Sequence, residues 1–389
     1  MKKIFILLLF TGLLISACAP NVRQPAAIDS TELVAQSTPT SEDVALPAEV
    51  EAPIIDAPEI LNIEMKDETN GWALTEKNVV RTNDGGVTWY DVTPAGLSDV
   101  GYFIYTDFFD AAHAWLQLPD MNNQPNGGKL YRTADGGLTW HSFDTPFSDG
   151  SLYFVDQQNG WVMANLGAGA GSNAVSIFKT SDGGETWTRT YTNDPNLEGA
   201  ADTLPLGGLK NFILPLNVNT AWVGGVIYAP GQIYLFRTDD AGATWSNVEL
   251  ALPENSGNSE LSAQGILFTS AREGLLALRI TAENPETIIY RTQDGGDTWA
   301  QLPVTFEGYG SLSTPSASEM IFYADDQFYV TNDAGATIQQ VTPDVLFGYS
   351  IIDMSFVNSQ TGWVVTEEDD NRSLYRTSDG GATWIVQIP

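Results

Sequence analysis

Apolar and polar positions alternate in short runs from residue 59 to the end of the chain, and turn-forming residues separate the runs. An apolar and aromatic stretch such as 129–133 leads into a glycine-rich turn, and a β-prone stretch such as 88–92 follows another turn of the same kind. A period of two predicts β-strands. Asp-Gly-Gly between two strands supplies the positive-φ residues of a tight hairpin turn. The pattern therefore predicts an all-β domain.

The hairpin turn recurs seven times with nearly the same residues, for example RTNDGGVTW at 81–89 and RTSDGGATW at 376–384. Threonine two positions before the aspartate, and glycine two and threonine four positions after it, occur in every copy. Tryptophan follows at the fifth position except in the sixth copy, which has Ile338. We interpret the aspartates as structural residues whose carboxylates accept hydrogen bonds from the turn's own amides. They are Asp84, Asp135, Asp182, Asp240, Asp294, Asp333 and Asp379.

A second signal precedes most of these turns. Gly71-Trp72 opens an apolar strand upstream of the first turn, Ala114-Trp115 does so upstream of the second, and a further strand such as 61–65 precedes each. Each repeat therefore contains four strands, with the aspartate turn between the third and the fourth. Four-stranded units repeated at this spacing are typical of propeller blades. We predict a seven-bladed β-propeller of four-stranded blades over residues 59–389.

The sequence of the first 58 residues indicates a targeting signal followed by a flexible tether. A basic start and the apolar run 4–15, which is too short to span a bilayer comfortably, predict a lipoprotein signal peptide at 1–17. Cys18, the single cysteine, follows Ile-Ser-Ala, which resembles a lipobox, and we expect it to be lipidated. An ordinary signal peptide is the alternative. Residues 18–58 are proline-rich without aromatic residues and predict a flexible tether. The protein is thus expected on the extracytoplasmic side of the cell envelope, anchored to the membrane by lipid.

Charge and composition exclude several classes of partner. Acidic residues outnumber basic ones 49 to 17, for a formal net charge of −32. Nucleic acid and anionic lipid headgroups both require clustered lysine and arginine, so we expect no nucleic-acid binding. One cysteine and two histidines leave little for metal chemistry, and one regular carboxylate per turn is too few for calcium. We predict no metal site, no cofactor and a monomer.

The repeated turn resembles the Asp-box, or bacterial neuraminidase repeat, S/T-x-D-x-G-x-T-W. Sialidases, xyloglucan-cleaving glycosidases, sortilins and photosystem assembly factors carry this motif, so it is specific for the fold rather than for the function. The Arg-Ile-Pro signature of sialidases does not occur in the chain. Asn-Gly-Trp followed by Arg-Thr-x-Asp-Gly-Gly-x-Thr-Trp, approximated by 61–89 and 351–384, is most similar to the photosystem II stability and assembly factors.

This resemblance implies a cofactor-free, exported propeller that holds newly made membrane-protein subunits. We therefore expect a protein-binding or assembly scaffold without enzymatic activity. The alternative is a glycan-binding, glycoside-hydrolase or sialidase-like propeller. An enzyme of that kind should carry a cluster of buried or perturbed carboxylates in its central funnel.

We predict that a partner binds the face opposite the aspartate turns. Irregular insertions, among them 165–175 and 303–313, fall in the loops of that face. Function tends to reside on variable loops over a rigid scaffold. The loops interleave acids with aromatics, which suits a cationic or polar protein segment better than a polyanion. The resemblance to the assembly factors implies that this segment could belong to a membrane-protein subunit. The candidate partner-binding residues are Tyr191, Asp194, Glu198, Asp202, Phe306, Glu307, Tyr309, Phe347 and Tyr349.

Two further predictions concern the repeats themselves. The basic residue three positions before the aspartate should pair with carboxylates or carbonyls of its own or the adjacent blade. The sixth blade lacks the turn tryptophan, the basic residue and the Gly-Trp strand start, so we expect it to be the least stable. The basic residues are Arg81, Arg132, Lys179, Arg237, Arg291 and Arg376.

Overall fold

The computed structural model describes residues 52–97, 100, 104–120, 122–369 and 371–389. The predicted signal peptide, the lipidation site Cys18 and most of the tether lie outside the described residues. The described chain consists of 28 strands and one short 3₁₀ helix, Glu254–Asn258. Over these ranges, no helix has the length and apolar character needed to cross a membrane.

The strands follow one another in seven successive groups of four, which we call units one to seven. Units one to three contain β1 (Ile60–Met65), β2 (Gly71–Thr75), β3 (Val79–Thr82), β4 (Tyr90–Asp91), β5 (Tyr105–Phe108), β6 (Ala114–Pro119), β7 (Gly128–Thr133), β8 (His141–Thr145), β9 (Gly150–Phe154), β10 (Gly160–Gly169), β11 (Ser172–Thr180) and β12 (Thr188–Thr192).

Units four to seven contain β13 (Leu209–Pro215), β14 (Ala221–Val226), β15 (Tyr234–Thr238), β16 (Ser246–Asn247), β17 (Glu260–Phe268), β18 (Gly274–Thr281), β19 (Glu286–Thr292), β20 (Ala300–Glu307), β21 (Ser311–Ser313), β22 (Met320–Ala324), β23 (Gln327–Thr331), β24 (Gln339–Val341), β25 (Ile351–Phe356), β26 (Gly362–Glu368), β27 (Asn371–Thr377) and β28 (Ile385–Ile388).

Within each unit the strands pair in chain order and antiparallel, as a four-stranded meander. Five units form separate sheets. Units four and five are joined into one eight-stranded sheet by the pairing of β14 with β17, which consists of Val226 opposite Ser262. The all-β class and the blade-like unit are therefore as predicted.

The hydrophobic core lies between the units rather than within one of them. Each of seven clusters of buried side chains in the described chain draws its residues from two consecutive units. Trp72 of unit one stacks on Phe108 of unit two, with ring centroids 5.2 Å apart. One cluster joins Trp363 of unit seven to Trp89 of unit one, so the two ends of the repeat close on each other. The β-propeller fold is confirmed, and these units and clusters support the predicted seven blades.

The end of the predicted tether packs on the first unit. The N–H of Ile55 donates to the carbonyl of Trp89 at 2.9 Å, and the N–H of Asp91 donates to the carbonyl of Pro53 at 2.7 Å. Residues 53–55 thereby cover the outer edge of β4, which would otherwise present unpaired backbone groups. The predicted end of the tether at residue 58 is therefore wrong, because residues 53–55 already belong to the folded domain.

Two predicted loops are strands. Residues 165–175 continue β10 and β11 as a paired hairpin out to Gly169 opposite Ser172. Most of the predicted loop 303–313 also belongs to strands, because β20 reaches Glu307 and β21 begins at Ser311. The weaker sixth unit stays a prediction. Phe328 of that unit is fully buried, and its ring centroid lies 5.2 Å from that of Trp384 in unit seven.

Candidate functional site

The seven aspartate turns share one hydrogen-bond arrangement. In the third turn, Thr180 Oγ1 donates to Asp182 Oδ1 at 2.7 Å, the N–H of Thr186 donates to the same oxygen at 2.9 Å, and Thr180 Oγ1 accepts from the N–H of Gly184 at 3.0 Å. The other six turns repeat these bonds. The hydrogen bond from the Thr298 hydroxyl, reinforced by that threonine's amide, lowers the pKa of Asp294 to about 2. The carboxylates are occupied in holding the turns, which is their predicted structural role.

The aspartate turn and the loop between the first two strands lie on the same face of every unit. The N–H of Gly85 donates to the carbonyl of Thr69 at 2.8 Å, and the equivalent bond forms in all seven units. We call this side the Asp-turn face. The opposite side, which carries the second-to-third strand loops and the connections between units, is the loop face. No group of histidine, cysteine or acidic side chains in the described ranges is arranged to hold a metal ion.

The basic residues before the turns bridge to acceptors, as predicted, in four of six cases. Arg132 and Arg237 reach the next unit, where they lie 3.0 Å from Glu185 and 2.7 Å from Asp297. Arg291 pairs with Glu273 of its own unit at 2.9 Å. Lys179 donates to the carbonyl of Val218. The remaining two, Arg81 and Arg376, lie over the rings of Trp72 and Trp363.

Three of the predicted partner-binding aromatics belong to the core. The exposed fractions of Tyr191, Phe306 and Phe347 are 4%, 2% and 3%. The Tyr191 hydroxyl donates to the carbonyl of Ala201 at 2.9 Å and accepts from the N–H of Leu204 at 2.7 Å, so it anchors the connection to unit four. Direct contact of these three with a partner is a wrong prediction, because the segments that carry them pack their aromatics between units.

The predicted acidic residues are on the surface but fall in two places. Asp194, Glu198 and Asp202 lie in the connection between units three and four, where Asp194 Oδ1 accepts from the N–H of Asn196 at 2.9 Å and shapes a turn. Asp202 lines a shallow cavity of about 450 Å³ in that connection. Glu307 is exposed at the end of β20, two units further along the chain.

The two exposed tyrosines of the prediction share one groove on the loop face. Tyr309 and Tyr349 are 61% and 98% exposed, and both line a groove of about 450 Å³ over the sixth unit. Arg279, Asp325 and Asp326 belong to its polar lining. The guanidinium carbon of Arg279 lies 5.7 Å from the centroid of the Tyr309 ring. The structure thus brings together one pair of predicted residues and adds three that the sequence analysis missed.

A tight turn between β22 and β23 builds the acidic wall of this groove. Asp325 and Asp326 have φ of 49° and 60°, a conformation that aspartate tolerates better than most residues. Asp326 Oδ1 accepts from the N–H of Gly348 at 2.7 Å, and the Tyr323 hydroxyl lies 3.0 Å from the same oxygen. Asp325 makes no hydrogen bond within the described chain. The Asp-Asp pair between two apolar strands was the available sequence signal for this turn.

A second set of carboxylates lies on the innermost strands. Asp353 Oδ2 accepts from the N–H of Ile63 at 2.7 Å, and Asp107 accepts from the N–H of Phe154, in each case on the inner strand of the next unit. Burial raises the pKa of Asp107 to about 7 and also raises the pKa of Asp353, and the negative charge of Glu64 adds to both shifts. These are the perturbed central carboxylates that an enzyme would require, although both satisfy backbone donors of an edge strand.

Comparisons with known proteins agree with this architecture. The sequence profile of the family described as Sortilin, neurotensin receptor 3 (Sortilin-Vps10) matches residues 77–202. The photosystem II assembly lipoprotein Ycf48 of Synechococcus sp. (strain CC9902) is 22% identical over 300 residues, which cover 72% of this chain and 84% of that protein. A xyloglucanase of Paenibacillus sp. is also 22% identical, over 62% of this chain and 25% of the enzyme.

One solved structure has the same fold over most of the chain. The GH74 xyloglucanase of Xanthomonas campestris superposes with a TM-score of 0.56 at 13% identity, covering 87% of this chain and 55% of the enzyme. The chain therefore spans about half of that enzyme and, by sequence, a quarter of the Paenibacillus xyloglucanase. The chain is a β-propeller, similar in sequence to the assembly lipoprotein Ycf48 and in fold to the GH74 xyloglucanase.

Proposed function

We propose that this protein is a lipid-anchored, extracytoplasmic propeller that binds a protein segment and acts as an assembly scaffold. The similarity to an assembly lipoprotein over 84% of that protein's length supports the scaffold role. The anchor and the location rest on the signal sequence and Cys18. No photosynthetic role follows from the groove itself, so the proposal concerns binding and assembly in general.

The groove over the sixth unit is the observation that carries the proposal. Two tyrosine rings expose apolar, aromatic surface to solvent in this groove. Tyrosine is enriched at protein interfaces, so this surface suits the binding of a partner. Tyr349 is almost fully exposed, so its ring is not held by packing within this chain. Asp325, with no internal partner, adds a negative charge beside the rings. A lysine or arginine of an extended segment can lie against a tyrosine face and pair with this carboxylate.

Calorimetry with defined peptides tests the site. The probes are a lysine-rich peptide with interspersed aromatics and its counterpart in which glutamate replaces each lysine. We expect the lysine-rich peptide to bind and its affinity to fall with added salt. The double variant Tyr349→Ser with Asp325→Asn should weaken it by about tenfold or more.

A matched control lies on the opposite face. Val87 is 70% exposed on the Asp-turn face, and Val87→Ser removes an exposed apolar side chain without touching the groove. This variant should bind the lysine-rich peptide as the wild type does. Equal losses in the two variants, or equal binding of both peptides, would contradict the proposal.

Glycoside hydrolysis is a second candidate, favoured by the raised pKa of Asp107 and by the xyloglucanase similarity. A carboxyl group that holds its proton near neutral pH is suited to act as a general acid. Incubation with xyloglucan oligosaccharides tests this function directly. Cleavage that disappears in a folded Asp107→Asn variant would favour the enzyme over the scaffold, and no cleavage by the wild type would remove xyloglucan as a substrate.

A further inference from the structure

A second cavity separates the inner parts of units five and six. Its volume is about 330 Å³, and the apolar side chains in its lining include Leu267, Leu275, Ile289 and Leu312. It shares Arg279 and Gly310 with the groove on the loop face. A concave space that combines apolar side chains with convergent polar groups is a usual form of a small-ligand site.

Two of the polar side chains that line this cavity come from neighbouring strands. Arg279 on β18 and Thr287 on β19 stand directly opposite each other in the register, so their side chains emerge on the same face of the sheet. Thr287 is 1% exposed, and its hydroxyl has no hydrogen-bond partner in the described chain. An unpaired buried hydroxyl destabilises a folded protein. We therefore expect a hydrogen-bond partner for this hydroxyl from outside the chain.

The bonding of Arg279 also leaves donors unused. Its Nη2 donates to the carbonyl of Gly310 at 3.1 Å, while its Nε is buried without a partner. No carboxylate of the described residues forms a salt bridge with Arg279, although acids outnumber bases 49 to 17 in the chain. The Arg279 guanidinium has no carboxylate partner although the protein is so acidic, and it is therefore available to an external anion.

Comparison with other arginines shows what is particular to Arg279. Arg81 and Arg376 also lack an acidic partner within the described chain, but each packs against a glycine of the next aspartate turn. A Cβ atom on Gly136 would lie 1.9 Å from Arg81 Nη1, and one on Gly85 would lie 3.7 Å from Arg376 Nη1. Protein atoms thus fill the space beside those two guanidinium groups. Arg279 instead lines an open cavity.

We propose that this cavity binds the carboxylate of a small apolar acid. The guanidinium of Arg279 pairs with the carboxylate, and the Thr287 hydroxyl donates a further hydrogen bond to it. The aliphatic part of the ligand packs on the apolar lining. Such an acid has two sources, a free aliphatic carboxylate or the C-terminal residue of a polypeptide with an apolar side chain. The site does not rest on the function proposed for the groove.

Probes that differ only in the head group test the chemistry. Hexanoate, hexanol and hexylamine are titrated into the full chain by calorimetry, with the methyl resonances of Leu267, Ile289 and Leu312 observed by NMR. We expect hexanoate to bind and to shift these methyl signals, and the alcohol and the amine to bind at least about tenfold more weakly. Equal binding of all three, or no shift of these methyl groups, overturns the proposal.

A pair of short peptides distinguishes the sources. Both end in leucine, one with a free carboxylate and one with an amide. Binding of the free-acid peptide with displacement of hexanoate assigns the site to polypeptide C-termini. Binding of hexanoate alone assigns it to free acids, and binding of neither hexanoate nor the free-acid peptide refutes the site.

Three variants separate ligand binding from folding. Arg279→Gln should weaken hexanoate binding by about tenfold or more, and Thr287→Val, which keeps the side-chain shape, by a few-fold. Arg272→Gln is the control, because Arg272 is an exposed arginine on the Asp-turn side of the same unit. Hexanoate binding unchanged in a folded Thr287→Val and in Arg279→Gln would contradict the assignment. The lysine-rich peptide tests the groove separately, so the two proposals can fail independently.

Discussion

The two faces of the propeller are built from the same strands but in opposite ways. On the Asp-turn face, one set of hydrogen bonds is repeated seven times, and the carboxylates are occupied by the turns. On the loop face, the connections between units differ in length from one pair of units to the next, and side chains such as Tyr349 and Asp325 are exposed. Repetition thus marks the side that stabilises the fold, and irregularity marks the side that is free to bind.

Neighbouring residues on the loop face show how sharp this division is. Phe347 and Tyr349 are two positions apart, yet they are 3% and 98% exposed. The ring of Phe347 packs at 5.3 Å from those of Tyr375 and Trp384. Within three residues, this connection thus places one side chain in the core and another on the surface. Two residues that are close in sequence can therefore have different roles.

The largest effect is expected at this pair. Phe347→Ala should lower the free energy of unfolding by about 3–5 kcal/mol, because it empties a buried aromatic position. Tyr349→Ser should change it by less than about 0.5 kcal/mol, because the ring is exposed. Urea denaturation followed by tryptophan fluorescence measures both. Similar losses in the two variants would erase the distinction between core and surface within this connection.

The next effect compares an aspartate of each face. Asp182→Ala should lower the free energy of unfolding by about 2–3 kcal/mol, because it leaves the hydroxyl of Thr180 and the amide of Thr186 without their acceptor. Asp202→Ala, which removes an exposed carboxylate on the loop face, should have little effect. Denaturation of both variants in the same buffer provides the measurement, and an equal cost would contradict the structural role of the turn.

A pH dependence is expected from the inner strands, which lie between the faces. Burial raises the pKa of Asp107 to about 7, so the folded protein retains a proton that the unfolded chain releases near pH ~4. Stability supplied by this group is therefore present below pH ~4 and is lost as the pH rises to about 7. Asp107→Asn should match the wild type at low pH and exceed it by roughly 1–3 kcal/mol at pH ~8. A constant difference across the range would refute the raised pKa.

The smallest effect concerns the one aspartate turn that lacks tryptophan. Ile338 is 41% exposed, whereas Trp89 and Trp245 at the equivalent position are 1% and 4% exposed. Ile338→Trp should raise the free energy of unfolding by about 0.5–1 kcal/mol, because the added ring can cover its own turn as in the other units. Hydrogen exchange in β23 and β24 should slow with it. Faster exchange there would show that the sixth turn has adapted to the smaller side chain.

Much of the fold could be predicted from the repeated turn, because its requirements are local. Threonine, aspartate and glycine within five residues satisfy one another's hydrogen bonds, as in Thr180 to Gly184, so the sequence alone specifies each hairpin. The basic residues before the turns were also predictable, because a strand fixes on which face of the sheet each side chain emerges. The candidate site was predictable only in part, through Tyr309 and Tyr349.

The rest depended on contacts between residues far apart in the chain. Burial of Tyr191, Phe306 and Phe347 follows from packing between units, which periodicity within one strand does not reveal. Arg279, Thr287 and Leu312 share a cavity only because units five and six lie side by side. The sequence by itself determined the hairpins, the four-stranded unit and their number, since these follow from local hydrogen bonding and alternation. Only the tertiary structure decided which loop residues are free to bind, because exposure depends on what the neighbouring unit covers.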